Sequence, residues 1–239
     1  MAVQISFNEK FYKSDDIKNG RIIKRFFRQL TTNVFKMSDK YSRQYKEISN
    51  DNENEIPLLY GERNLYSLFA SAVNAITPMH LSEWGFNKNN SDNVDKNRRV
   101  DLWCLYKNGQ SSNPINFYIE LKTGWYCLNS RSKPPIEKRV KTAINNLIDQ
   151  LRSLKNNIKP KWNDFDDVYL GLMMIHGYYS KGNERYSEND LVTSINDTLD
   201  KRTVKNYLIS TLTFPDDISA QWEENNCRFI SIIGIPIVS

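Results

Sequence analysis

Two short runs of strand-forming residues, 100–106 (VDLWCLY) and 115–122 (INFYIELK), are joined by KNGQSSNP, which holds Asn108-Gly109, the strongest kind of short turn signal. An antiparallel hairpin with a somewhat long loop is expected. The second run alternates strictly, so Phe117, Ile119 and Leu121 share one face and Glu120 and Lys122 share the other. Asp101 sits at the start of the first run and Glu120 near the end of the second. Antiparallel pairing therefore brings two carboxylates side by side, with the Lys122 ammonium on the same patch.

Two like charges this close repel unless a cation lies between them. Carboxylate oxygens beside a backbone carbonyl suit a hard divalent ion that keeps some of its waters, which describes magnesium. Such an ion stabilises charge on a phosphoryl oxygen and activates a water, and a nearby lysine orients that water or donates to the developing charge. The competing explanation is an exposed cross-strand pair, Glu120 with Lys122, beside a strand-end acid; such pairs contribute little. The segment Thr123-Gly124-Trp125-Tyr126 follows at once, and Trp125 suits either a core position or a substrate wall.

The hairpin sits within an alternation of helix and strand patterns. Apolar residues at steps of three and four, Ile23, Phe26, Phe27, Leu30, Val34, Met37, Tyr41, Tyr45 and Ile48, predict one long helix, or two broken near Ser38. Its polar face carries Lys24, Arg25, Arg28, Lys36, Lys40, Arg43 and Lys46, which is either a solvated face, a phosphate-contacting face or a dimer arm. After a polar linker at 51–57, residues 61–76 predict a second helix with Leu65, Leu68, Phe69, Ala72, Val73 and Ile76 buried. At ~100° per residue Glu62 falls in line with Phe69 and Val73. A carboxylate there is costly unless paired or bound to a cation, although in the first turn it also favours the helix dipole. Residues 80–86 read as a short strand or irregular segment. A third helix is expected over 136–154, a strand covered on both faces over 168–179, a helix over 191–199, and a strand over 228–238 with Pro236 at an edge. Residues 204–214 are ambiguous. The predicted fold is α/β, a central mixed sheet flanked by helices, with an N-terminal helical extension (residues 1–56) ahead of a main domain (57–239).

The order Val100-Asp101, an eighteen-residue gap and Glu120-Leu121-Lys122 ending a hydrophobic strand resembles the PD-(D/E)XK nuclease superfamily, the restriction-endonuclease-like fold. The resemblance covers roughly residues 61–179. It implies that Asp101 and Glu120 bind the metal, that Leu121 lends its carbonyl, and that Lys122 is the catalytic lysine. Glu62 matches the acid that many members carry on the preceding helix, and the resemblance implies that it joins the catalytic set and the metal ligands. Gln150 matches a glutamine on the following helix and is expected among the nucleic-acid contacts, although Leu154 stands where that submotif has Tyr, so it is incomplete. The family's Pro before the Asp is replaced by Val100. The implied activity is Mg2+-dependent hydrolysis of DNA, with Mn2+ able to substitute, in a restriction-like or DNA-processing endonuclease. A fold retained as a non-catalytic binding module is the alternative.

The basic stretch 129–141 suggests Arg131, Lys133 and Arg139 as phosphate contacts, which give affinity without sequence reading. A homodimer through the N-terminal helices is also expected. The remaining features bound the class. In 239 residues, 39% hydrophobic and 12% aromatic, there is enough apolar material for a packed core, which argues against disorder. No run approaches the ~20 apolar residues of a membrane span. The opening MAVQISFNEKFYKSDD carries charges where a secretory core would be, so a cytoplasmic location is expected. Three cysteines without a CxxC spacing make a disulfide scaffold or zinc site unexpected. The two histidines, His80 and His176, stand alone in their segments and suit packing better than catalysis. The net charge of +5 permits a polyanionic partner without demanding one.

Overall fold

The structure is a computed structural model and describes residues 4–49, 55–87, 97–109, 112–128, 136, 138–158, 165–180, 188–214, 220–222 and 225–238. Along the chain the elements are β1 (Gln4–Asn8), α1 (Gly20–Ser49), α2 (Glu62–Asn74), β2 (His80–Asn87), β3 (Asn97–Tyr106), β4 (Ile115–Cys127), α3 (Lys138–Asn157), β5 (Asp166–Ser180), α4 (Glu188–Asp200), β6 (Leu208–Thr213), β7 (Ala220–Trp222) and β8 (Asn225–Val238). Short 3-10 turns occupy Ser14–Asp16 and Pro57–Leu59.

The expected hairpin forms. Leu102 pairs with Ile119 and Tyr106 with Ile115, and Gly109 takes φ +80° in the turn, a conformation that favours glycine. The strands join one mixed eight-stranded sheet in the order β1-β6-β8-β5-β4-β3-β2, with β7 pairing beside β8. β4 and β5 run parallel, so the chain must cross a face between them, and α3 is that crossover. α1 and α2 pack on one face of the sheet, against Leu102, Phe117, Ile119, Leu170 and Ile232. α3 and α4 pack on the other, against Tyr118, Tyr169, Met173 and Ile233. β5 is buried from Val168 to Gly177, as a strand covered on both faces should be.

The N-terminal helix forms as expected, and it is built into the common core: β1 pairs with β6 in the same sheet, and Ile23, Phe26, Phe27, Leu30 and Val34 are fully buried. Gly234 makes that seat. A Cβ there would lie 2.6 Å from the Phe27 ring, so only glycine lets α1 come down on β8. Other expectations need correction. α1 is continuous through Ser38. Ser38 and Ser42 carry the buried stripe onward as small residues, while Tyr41, Tyr45 and Ile48 turn outward, Ile48 being 83% exposed. Pro236 lies in an interior strand, paired with Leu170 of β5, but beyond Gly234, where β6 ends, so no ladder on that side needs its missing N–H. β6 resolves the ambiguous segment as a strand. β1 and β7 were not anticipated, being short and weakly patterned.

Candidate metal and catalytic centre

β3 and β4 stay paired from Tyr106 back to Leu102; before Leu102, β3 pairs with β2 alone. Val100 belongs to the α3/α4 side of the core and Leu102 to the α1/α2 side, although strand alternation would place them together. The chain thus turns over at Asp101 as it leaves β4. This exposes the edge of β4 at Leu121. Its N–H lacks a strand partner there and donates instead to Asp101 Oδ2 at 2.7 Å. A strand residue directs its N–H and C=O to the same side, so the Leu121 carbonyl belongs to the same opened edge.

Glu120 is one step back, on the face beneath α3, and only 5% exposed. Its neighbour on β5 is Gly171, and Leu147 and Leu151 of α3 sit within 3.0 Å of where a Cβ would be, so the helix closes over the strand here. That burial rules out the exposed cross-strand pair. Desolvation, and then the charge of Asp101, push the Glu120 carboxyl up to about 8, against the opposing pull of Lys122. Burial raises Asp101 as well, opposed by the Leu121 N–H, the Lys122 ammonium and a hydrogen bond from Tyr66.

Lys122 Nζ donates to Glu62 Oε1 at 3.1 Å, a contact open to it because β3 no longer flanks β4 at this level. Glu62, the first residue of α2, is half-buried and turned toward the sheet, as its alignment with Phe69 requires. Tyr66, one turn along, donates to Glu62 Oε1 at 3.3 Å and also bonds Asp101; burial, and then the two neighbouring carboxylates, raise its hydroxyl. The four groups expected to converge do so, with Tyr66 as a fifth that the sequence reading missed. Its spacing of four from Glu62 on one helix face was the available signal.

Among the described residues no three or more His, Cys, Asp or Glu side chains gather as a metal site. The carboxylates in direct contact are Asp101 and Glu120, while Glu62 reaches them through Lys122 and Tyr66. In kind the donors fit a hard divalent ion: two adjoining carboxylates held in a buried place where their charges repel, and a carbonyl on the same edge.

The outer candidates stand apart. Arg131 and Lys133 lie outside the described residues. Arg139 is exposed at the start of α3. Gln150 is exposed too, off the buried stripe Ile144-Leu147-Ile148-Leu151, so it is not aimed into the carboxylate cluster. On α1, Lys24 and Arg28 both pair with Glu9, and Arg43 pairs with Asp39 at 2.8 Å, so part of the basic face is neutralised within the chain. The apolar stripe of α1 is largely consumed by the chain's own sheet. Trp125 packs against the α1/α2 core and stacks on His176 at 4.4 Å, which makes it structural. His176 is buried, bonded to the Leu58 and Gly124 carbonyls at 2.6 and 3.3 Å. Cys104 is fully buried, its thiol raised by desolvation and inert. No helix among the described residues is long and apolar enough to cross a membrane. Comparison with protein-family models, curated proteins and solved structures finds no match.

Proposed function

We propose that the chain is a divalent-metal-dependent nuclease that hydrolyses DNA phosphodiester bonds, an endonuclease of the PD-(D/E)XK type acting in defence or DNA processing. The observation that carries this reading is the turnover of β3 at Asp101. It sets two carboxylates against each other in a buried place, with an ammonium on the same strand held by a third acid. A structural ion pair has no need of the second, buried carboxylate, whose desolvation is costly.

In this reading Asp101, Glu120 and the Leu121 carbonyl hold Mg2+, or Mn2+ in its place. Such an ion supplies charge stabilisation at a phosphoryl oxygen and activation of a water. The Leu121 N–H fixes the Asp101 carboxylate. Lys122, three-donor and compact, orients the attacking water or donates to the oxygen on which charge develops. Glu62 and Tyr66 keep that ammonium and Asp101 in register. DNA as the substrate rests on the motif resemblance.

The test is incubation of wild type, Asp101→Ala and Lys122→Ala with plasmid DNA in Mg2+ or Mn2+. Wild type cuts, and each variant loses at least about 100-fold. Binding without cutting in either metal would instead identify a non-catalytic module of the same fold.

A further inference from the structure

A groove of about 650 Å³ runs between the second half of α1 and the first half of α2. Met37, Tyr41, Tyr60 and Leu68 give it ring faces and an apolar floor, and Arg63 and Asn64 form a polar wall. Neither the packing of the core nor the chemistry of the carboxylate centre requires it. Its position ties it to that centre, because Arg63 follows Glu62, whose carboxylate holds Lys122 Nζ at 3.1 Å. One residue step, about 3.8 Å between Cα atoms, separates the groove wall from the candidate catalytic helix position.

The geometry points to this groove as the seat of an unpaired nucleobase of a single-stranded or locally opened nucleic acid, next to the phosphodiester that the carboxylate centre engages. The inference deepens the nuclease reading and rests on it. Four features favour this occupant. The volume lies in the range of small-ligand sites. Tyr41 is 45% exposed yet stacked on Tyr45, with 6.4 Å between centroids, so an accessible ring is already ordered for stacking. Arg63 lines the wall and has no ion pair among the described residues, Lys36 and Lys40 are exposed next to Met37 and Tyr41 in the sequence of α1, and two neighbouring acids are engaged elsewhere, Asp39 with Arg43 and Glu62 with Lys122. Arg63 thus gives the wall a cation that a backbone phosphate can meet. Finally, Asn64, Ser67 and Ser71 interrupt the apolar lining with groups that can hydrogen-bond a base edge, whereas a helical protein partner would favour a continuous apolar stripe.

The test is fluorescence anisotropy of the full chain in EDTA, with a short labelled oligothymidylate and an abasic strand of equal length and charge. The intact strand binds more tightly. Tyr60→Ala and Tyr41→Ala bring it to the abasic affinity, about 5- to 140-fold weaker, and Tyr60→Phe, which keeps the ring, does not. Equal wild-type affinity for the two strands overturns the inference, as do alanine variants that bind the intact strand normally. Concentration-dependent self-association that Tyr41→Ala abolishes, with no difference between the strands, would make the groove an interface between two copies and also overturns it. Binding in EDTA needs no hydrolysis. A protein that fails to cut plasmid but distinguishes base from abasic site therefore rejects the nuclease reading and keeps the groove, and the reverse result does the opposite.

Discussion

A carboxyl under a helix and beside a second carboxylate keeps its proton longer than one in water. For Glu120 the unfolded chain releases it near the ordinary carboxylate value, about 4.5, and the folded chain near 8. Between these values the native state binds the extra proton, so stability falls as pH rises through that window and is least penalised below it. Thermal unfolding without metal should therefore show Tm declining from pH 5 to pH 8. Glu120→Gln, which keeps the shape and removes the titration, should flatten the decline and raise Tm at pH 8, at roughly 2–4 °C per kcal/mol recovered. A parallel decline in the variant would place the titrating group elsewhere. Mg2+ at pH 8 should raise the wild-type Tm and leave Glu120→Gln nearly unmoved, because an ion held by the charged pair stabilises only the state that contains it. At the same scale, Tyr66→Phe removes one hydroxyl that bonds both Glu62 and Asp101. Loss of that positioning should lower kcat with little change in KM and shift the pH–rate profile, whereas a purely structural role would lower Tm and leave the profile in place.

Among the elements, the hairpin was legible because two independent signals agreed: period-two alternation in β4 and an Asn-Gly turn. Asp101 facing Glu120 followed from register alone. The turnover of β3 at Asp101 did not, since it depends on β2 drawing the strand away, and β2 lies outside the hairpin's own pattern. Whether the face carrying Glu120 is open or covered was not legible for a related reason. Alternation tells which residues share a side but not whether a helix covers it, and α3 does so through a glycine, Gly171, that carries no hydrophobic signal. The apolar stripe of α1 was read as continuing to Ile48, but its large apolar residues are buried only through Phe35; Ser38 and Ser42 carry the buried line on, while Tyr41, Tyr45 and Ile48 are exposed. Phe27→Ala should thus cost about 3–5 kcal/mol, the cavity cost of a buried ring, and Ile48→Ser should stay within about 0.5 kcal/mol. Chemical denaturation of both variants checks this. Equal effects would mean that α1 packs along its whole length.

For the whole molecule, the polar linker at 51–57 resembled a domain boundary because linkers are polar, but a boundary is defined by how few contacts cross it. Here the crossing contacts are many and apolar. β1 supplies an edge strand to β6, Phe26 stacks on Phe117 of the central β4 with 4.1 Å between ring centroids, and Phe27 fills the space over Gly234. Such long-range pairing is invisible to a reading that moves along the chain, because neither β1 nor Gly234 announces its partner. A chain trimmed to residues 57–239 would leave the α1 side of β4, β5, β8 and β6 in water, including Phe117, Leu170, Leu212, Ile230 and Ile232. At about 25 cal/mol per Å² of apolar surface, even a few hundred Å² exposed consumes much of the 5–15 kcal/mol that a domain holds in reserve. The trimmed chain should therefore be soluble only as an expanded state or aggregate, with rapid amide exchange along β4, β5 and β8. A trimmed chain with native-like exchange protection and a cooperative unfolding transition would show that α1 and β1 decorate a self-sufficient core. The intact chain should unfold in one step, because the sheet that carries Asp101 and Glu120 is the same sheet that β1 and α1 complete.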